Sequence, residues 1–571
     1  MYSAADLLPP EDLFNNEFDP RLPYATRVNS REAYPGVIKP LDLTAVAVPN
    51  DHGIRRQLRD LGVTTIDPPK LLTNRVHQGR VYANLSWVMW MADIMPGADA
   101  GDFEQQLFGQ HIPFRITRPE ISAAELRRAK RHTWRFYGGM VNAVLTMKKR
   151  LARQLEARRD LDLAARSNAE LDALIVPWQN ELIVACEWNT RGTLAGLVMI
   201  GALNRVLGAD KAKHLVAVLS DLGEVESAAP AQKIRQIAVQ GRQRNPTLAK
   251  ALKASYQRWE MLREADPWTH DALRSVIDRY GYRSVAEFLI SAPSWAEDPT
   301  PVMDAFVGLL GAAPRDKAAQ DAAIQEARDA IVAGLSPVKR YCVNTLLHFA
   351  QQGARTRERA KAGLIIRVDM LRQLFREIGR RLLAADRIDD VTDLYYLTLS
   401  EVRAALGGDS RDDLRSTAVA RRAEVERLEA LGEQEELING HEPALLDGAA
   451  AHRDTTVLKG LGVSGGAVEG IARVVTSSEE LDIFEPGEIL VSSHTDAGWT
   501  PYFTLASAVI VETGGLLTHT SVVARELGLP AVVNVQGATK IIRTGDHLRL
   551  DPDSGEVHIL ARADAGGVAV S

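Results

Sequence analysis

Apolar and polar positions along the chain follow two rhythms. From about 120 to 260 the apolar residues recur at helical spacing. Ala123 to Arg159 is rich in Ala, Leu, Arg and Lys with few breakers, so a long helix with charged faces is expected. Leu182 to Leu207 reads as an apolar helical region interrupted at Asn189-Thr190-Arg191-Gly192, and 209–262 as further helices. The spacing predicts an amphipathic helix over 313–336, a long helix or a broken pair over 338–385, and a charged, solvated helix over about 411–432. Near the C-terminus the rhythm changes. Ile489-Leu490-Val491, Ala508-Val509-Ile510-Val511 and Ala531-Val532-Val533 read as buried strands. A short helix between the last two has a clear stop in Gly528 and Pro530.

The intervening segments set boundaries. Residues 1–25 are acidic and proline-punctuated, an extended lead-in. Residues 26–41 read as a turn-rich loop, because Pro35-Gly36 and Pro40 break regular structure. Gly79 to Ser86 is a short strand-like run, followed by a Trp/Met-rich stretch (Trp87, Met89, Trp90, Met91, Met95) that reads as core packing or as an apolar wall for an aromatic substrate. Residues 440–456 lack periodicity and suit a linker or hinge. The expected fold class is multidomain: a lead-in (1–25), a large mainly α-helical domain (26–440), a linker (441–456) and a C-terminal α/β domain (457–571).

Composition narrows the function classes. The 571 residues are 46% hydrophobic and 25% charged, ordinary for a globular protein. A net charge of −6 argues against binding nucleic acid or an anionic membrane through a polycationic surface. Cys186 and Cys342 are too few for a disulfide framework or a thiolate metal site, and are expected to be buried apolar fillers. No histidine pair has metal-ligand spacing, so no metal site is expected. The N-terminus lacks the build of a signal peptide and no apolar run reaches the roughly 18 residues of a membrane span, so a cytoplasmic location is expected.

One histidine stands out. Gly514-Gly515 forms a turn between a strand and a short helix, and His519 stands where that helix begins. Free backbone N–H groups and the positive end of the helix dipole gather there and suit an anion. A histidine in that position can accept a phosphoryl group on a ring nitrogen. The turn amides of Gly514 and Gly515, and the hydroxyl of Thr518 or Thr520, can then hold the phosphate oxygens. The same string carries Arg525 as a candidate phosphate-binding cation. The plainer reading makes Thr520 or Ser521 an N-cap and His519 an incidental turn residue. Elsewhere, Arg357 and Lys361 lie one helical turn apart, so both cations project from one face. Such a pair can offset the charge of a phosphoryl group in flight, or can be a solvated surface face.

The whole string Thr513-Gly514-Gly515-x-x-x-His519-x-x-x-x-Ala524-Arg525-Glu526-x-Gly528-x-Pro530-Ala531-Val532 resembles the swivelling phosphohistidine domain of the phosphoenolpyruvate-utilising enzymes. Thr518 and Thr520 replace that family's Ser and Ala. Four other stretches resemble rifampicin phosphotransferase-like members: Arg27-x-Asn29-x-x-Glu32-x-x-Pro35-Gly36; Arg283-x-x-x-Glu287 with Trp295-x-Glu297-Asp298-Pro299; Arg357-Glu358-x-x-Lys361; and Asp393-x-x-Tyr396-Leu397-Thr398. Tyr282 stands where those enzymes have histidine, and Ser294 where they have arginine. The resemblance implies a helical acceptor-binding domain joined to a swivelling phosphohistidine domain. It implies that His519 is phosphorylated, that Arg357 and Lys361 face the phosphohistidine, and that Glu287 or another carboxylate is the base.

In those enzymes an ATP-grasp domain precedes this region, and almost nothing precedes residue 26 here. The expectation is the phosphotransferase subunit of a two-component dikinase-like kinase, similar in arrangement to phenylphosphate synthase. A separate ATP-grasp subunit would load His519 from MgATP, and a small, aromatic or phenolic hydroxyl compound would accept the phosphoryl group. The alternatives are a regulatory phosphocarrier and an enzyme using phosphoenolpyruvate as donor.

Overall fold

The computed structural model describes residues 12–16, 22–28, 30–60, 74–86, 122–208, 211, 214–219, 226–253, 255–311, 317–408, 413–432, 434–441, 443, 455–476, 480, 484–495, 499–515 and 518–563. The Trp/Met-rich stretch from Trp87 and most of the expected linker lie outside these residues. The larger part is helical. Its main helices are α1 (Val48–Asp60), α2 (Ala123–Arg159), α3 (Asn168–Leu207), α4 (Leu215–Leu219), α5 (Ala229–Arg244), α6 (Pro267–Tyr280), α7 (Thr300–Gly311), α8 (Lys317–Val332), α9 (Pro337–Ala384) and α10 (Leu414–Glu429).

The two longest helices explain themselves at their ends. Ser336 accepts a hydrogen bond from the Lys339 amide and Pro337 opens the first turn of α9. Ser167 and Glu170 form a reciprocal capping box at the start of α3. Between these starts and their ends neither helix breaks. α9 runs 48 residues, about 70 Å at 1.5 Å per residue. α3 continues through Asn189–Gly192, where the sequence suggested an interruption. The Thr190 and Thr193 hydroxyls donate to the Cys186 and Asn189 carbonyls one turn back, so they stay compatible with the helix. Gly192 marks a crossing: a Cβ there would stand 3.0 Å from the Arg357 Cα of α9. The pattern that looks like a helix end is the signature of close helix packing.

α2, α3 and α9 pack together, with α1 against α3. α5, α6 and α7 form a second layer whose core includes Leu273, Phe306 and Leu310. Cys186 is buried as expected. Cys342 is exposed, contrary to expectation, because it lies on the solvent-facing first turns of α9. A small sheet of order β2-β3-β1-β4 ties the two ends of this part together. Its strands are β1 (Tyr24–Thr26), β2 (Asn74–His77), β3 (Arg80–Asn84) and β4 (Leu437–Asn439). Ala25 pairs with Ile438 across more than 400 residues of chain. The segment after Thr26 is less loop-like than its prolines suggest: Ser30–Ala33 is a helical turn, and Pro40 opens another helix at its first position.

The C-terminal part is an eight-stranded sheet of order β5-β12-β11-β7-β8-β9-β10-β6. Its strands are β5 (Val457–Lys459), β6 (Leu461–Ser464), β7 (Val468–Val475), β8 (Ile489–Ser492), β9 (Ala508–Val511), β10 (Ala531–Val533), β11 (His547–Asp551) and β12 (Glu556–Ala561). β7, β8, β9 and β10 are parallel neighbours. β5 and β6 occupy opposite edges, yet only Gly460 separates them. One residue spans at most about 7 Å between its neighbours, so the sheet must curl until its edges adjoin. Gly462 allows that closure, since a Cβ there would collide with the Pro552 carbonyl. The central strands β8, β9 and β10 are buried on both sides. Ile489 and Val491 face one apolar cluster and Leu490 the other, which is why β8 and β9 read as continuous apolar runs.

Candidate active site

Parallel strands deliver the chemistry of the C-terminal part to one edge. In such sheets functional groups gather beyond the carboxyl ends of the strands. Here those ends carry Ser493-His494-Thr495 after β8, Glu512-Thr513-Gly514 after β9, and Asn534, at φ +58°, after β10. The loop after β9 leads into α12 (His519–Leu527), with His519 as its first residue.

The loop holds itself together. Gly514 adopts φ +134°, a conformation that side-chain-bearing residues rarely reach. The Thr513 hydroxyl donates to the Ser493 carbonyl at 3.1 Å. The hydroxyls of Thr518 and Ser521 both donate to the Gly515 carbonyl, at 3.0 and 2.7 Å. Thr520 pairs with Thr495 at 2.7 Å, joining the His519 loop to the His494 loop. Arg525 lies in the last turn, its Nε donating to the Ser521 carbonyl at 2.9 Å. Thr518 is the N-cap residue, and its side chain makes no capping hydrogen bond to the first amides of α12. The predicted residues Gly514, Gly515, Thr518, His519 and Thr520 therefore share one turn, while Arg525 sits at the far end of the helix. The His519 side chain lies outside the described residues.

Three residues at this edge, His494, Arg27 and Arg31, were not legible as site residues. His494 packs near Trp499, with ring centroids 6.4 Å apart, and the Ser493 hydroxyl stands 3.0 Å from its Nδ1. Burial pushes its imidazole down to about 3, and Arg31 and Arg27 push in the same direction. It is neutral at any ordinary pH. Those arginines come from the segment after β1 and bring positive charge from the helical part. Arg31 pairs with Glu436 at 3.1 Å. The Glu436 carboxyl is held above its usual range, chiefly by burial, with Glu512 of the sheet edge adding to it. The available signal was positional: His494 follows a buried strand as His519 follows another.

The second predicted cluster sits on α9. Arg357 lies at the α3 crossing and donates to Glu358 from Nη2 at 2.9 Å. Lys361 Nζ stands 3.9 Å from Glu287 Oε2. Glu287 in turn receives Arg283 Nη1 at 2.8 Å on its other oxygen, and both are almost fully buried. Arg283 also donates to the Glu226 carbonyl at 2.5 Å. Burial alone would raise the Glu358 carboxyl, but Arg357 and Lys361 outweigh it and hold it below the usual range. Glu287 Oε2 is buried without a hydrogen-bond partner, which leaves an acceptor beside Lys361. Tyr282 is fully buried next to this cluster, with no hydrogen-bond partner for its hydroxyl among the described residues, and burial pushes the phenol up to about 12. Ser294 is turned inward too, its amide and hydroxyl directed at Glu297. Arg357, Lys361 and Glu287 thus converge, with Glu358 and Arg283 as partners the spacing alone did not bring in.

The two clusters belong to parts that touch. α11 (Thr500–Phe503) packs on α5 and α7, and Gly308 of α7 leaves room for Leu505, which a Cβ there would meet at 2.5 Å. Arg235 donates to the Thr504 carbonyl at 3.2 Å. β6, which packs beside α12, also touches α4, whose Val218 carbonyl accepts the Gln351 amide of α9 at 3.1 Å. Gln351 is six residues from Arg357, about 9 Å along the helix axis. No helix among the described residues is long and apolar enough to cross a membrane.

Comparison with known proteins finds two regions of similarity. Residues 484–555 match the mobile domain of phosphoenolpyruvate-utilising enzymes, and residues 189–358 match the fourth domain of rifampicin phosphotransferase. An uncharacterised protein of Mycobacterium tuberculosis is 28% identical over 98% of this chain, and the prodigiosin synthesizing transferase PigC of Serratia marcescens is 26% identical over 95%. The chain spans 64% of the length of each. The rifampicin phosphotransferase of Streptomyces sviceus is 34% identical over 51% of this chain and 34% of its own length. Two stretches of the chain thus resemble the phosphoenolpyruvate-utilising enzyme superfamily: 484–555 its mobile domain, and 189–358 the fourth domain of rifampicin phosphotransferase.

Proposed function

We propose that this chain is the phosphotransferase component of an ATP-dependent, dikinase-like kinase, with His519 carrying the phosphoryl group from a nucleotide site to an acceptor hydroxyl. The observation that carries the reading is the His519 turn: a histidine at the start of a helix whose first amides are uncapped by a side chain, at the carboxyl edge of a mobile-domain sheet. A helix N-terminus offers fixed donors to phosphate oxygens.

The loading step belongs to an ATP-grasp module outside these 571 residues, on a separate subunit. There a His519 ring nitrogen bonds to the β-phosphorus of ATP as AMP leaves. Water then removes the γ-phosphoryl group as phosphate, leaving one phosphoryl group on the histidine. Mg²⁺ enters with ATP on that subunit. Among the described residues no group of three His, Cys, Asp or Glu side chains gathers to hold a metal.

Unloading belongs to the helical part. An acceptor hydroxyl attacks the phosphorus, the P–N bond breaks, and the imidazole leaves neutral. Arg357 and Lys361 offset charge spreading over the transferred oxygens. Glu287, whose free Oε2 lies beside Lys361, takes the hydroxyl proton. The acceptor is a small hydroxyl compound. A covalent relay suits two separated sites because one histidine can serve both.

The test uses β- and γ-labelled ATP with the full chain, with and without the candidate ATP-grasp subunit. Label from the β position should appear on His519 only when that subunit is present, and should then chase onto a hydroxyl compound from a panel of phenols and alcohols. Labelling by phosphoenolpyruvate, or stable label that no acceptor removes, would overturn the reading.

A further inference from the structure

We propose that the outer face of α2 is a docking surface for an anionic lipid bilayer, so that the chain binds membranes peripherally. The inference stands apart from the relay above. It departs from the expectation drawn from the net charge of −6, because that charge is unevenly spread. α2 alone carries eleven Lys and Arg against two Glu.

The two faces of α2 differ. Ala129, Thr133, Ala143, Met147 and Leu151 are buried in the helical part. On the far side Trp134, Val141 and Leu145 are 74%, 60% and 73% exposed. At about 100° per residue these three fall within about 40° of one another, in a stripe about 16 Å long. Trp134 meets Tyr137 of the same helix edge-on, with ring centroids 6.2 Å apart. Gly138 lies between Trp134 and Val141, and among the described residues a Cβ there would meet nothing within 4 Å. Large apolar side chains left in water in one row mark a binding surface.

Cations run along both sides of the stripe. Lys130 and Lys148 lie about 40° from its centre on one side, Arg131 and Lys149 about 60° on the other, and all four are exposed. Three of the four are lysines, which protein–protein interfaces disfavour. Val141 and Leu145 gain nothing from the phosphates that dominate contact with a nucleic acid. An anionic bilayer takes every part. The indole sits at headgroup level, the aliphatic side chains reach the acyl boundary, and the Lys and Arg stems lie along the stripe with their charged ends among the lipid headgroups. A planar surface also suits a straight outer helix face, which needs no matching groove.

The experiment sediments the full chain with vesicles of phosphatidylcholine and phosphatidylserine at 3:1, and with vesicles of phosphatidylcholine alone. Partition onto the anionic vesicles should be at least about tenfold stronger, and the gap should shrink as salt is raised. Each cation near such a surface adds about fivefold, so K148Q/K149Q should weaken binding by about twentyfold. Both positions are exposed, far-UV circular dichroism checks the fold, and the single K149Q, at about fivefold, serves should the double variant fold poorly. L145S should weaken binding several-fold with its charges intact. Brominated phosphatidylcholine in the anionic vesicles should quench tryptophan fluorescence, and W134F should remove part of that quenching. Equal partition onto both vesicles, binding unchanged by K148Q/K149Q, or quenching unchanged by W134F would overturn the proposal. So would tighter binding to polyglutamate or duplex RNA than to the anionic vesicles together with indifference to L145S, which would make the face a site for an acidic protein or a nucleic acid. H519A should bind the vesicles like the unaltered chain, so failure of the relay leaves this result standing.

Discussion

The His519 turn and the α9 cation cluster are built in opposite ways. The turn is a backbone device: Gly514 supplies the rare φ, the Gly515 carbonyl collects two hydroxyls, and the first amides of α12 provide the donors. Almost everything it needs lies within about ten residues of chain. The cation cluster is a side-chain device. Arg283 and Glu287 come from the loop after α6, Arg357, Glu358 and Lys361 from α9, and Gly192 of α3 admits the backbone of Arg357. A phosphoryl carrier that changes partners benefits from donors attached to its own backbone, since they travel with it. A stationary receiving site can draw its charges from two elements and its clearance from a third, because it never has to move as a unit.

The sharpest break between the two is H519A. It should abolish phosphoryl incorporation, a loss on the order of 10⁴-fold or more in turnover, while the fold persists. Radiolabel on the protein after acid-free gel separation measures it. Next come R357A and K361A. Each should leave incorporation on His519 intact and slow transfer to the acceptor by roughly 10²- to 10³-fold. If either blocks labelling instead, the division into a loading part and an unloading part is wrong. E287Q should slow transfer less steeply, by about 10²-fold, with incorporation on His519 unchanged.

A smaller effect is expected at the contact between the two parts. Gly308 faces Leu505, so G308V should weaken their docking by about 1–3 kcal/mol through overpacking. Transfer should slow while loading by the ATP-grasp subunit does not, as read by burst kinetics. The smallest effect concerns His494. Its folded-state pKa of about 3 lies below the unfolded value near 6.5, so between those pH values the unfolded chain binds more protons. Stability should therefore rise with pH across that window and level off above it. H494Q should reduce the slope by up to one proton, measured as urea midpoint against pH, without changing stability at pH 8.

The legibility of the two regions differs for the same reason. Val511, Gly514 and Gly528 announce strand, turn and stop through neighbour-to-neighbour sterics, whereas the N-cap, read as Thr520 or Ser521, falls on Thr518 because the helix already begins at His519. Arg357 and Lys361 are readable as a pair on one face, but nothing in that spacing says whether the face meets solvent or Glu287. The supposed interruption at Asn189–Gly192 failed because glycine weakens an isolated helix and equally permits two helices to touch. His494, Arg27 and Arg31 were missed because the curl of one sheet and the pairing of β1 with β4 bring them together over hundreds of residues.

By itself, then, the sequence determined most of the helices and strands, the turn that places His519 at a helix start, and which two cations share a helical face. Short-range sterics and periodic burial decide such matters, and they act between residues a few positions apart. Tertiary structure alone decided that α3 and α9 run unbroken through their crossing, that Lys361 meets Glu287, and that Arg27 and Arg31 bear on His494. Those outcomes depend on which distant surfaces are driven together by the burial of apolar area, and no local pattern carries that information.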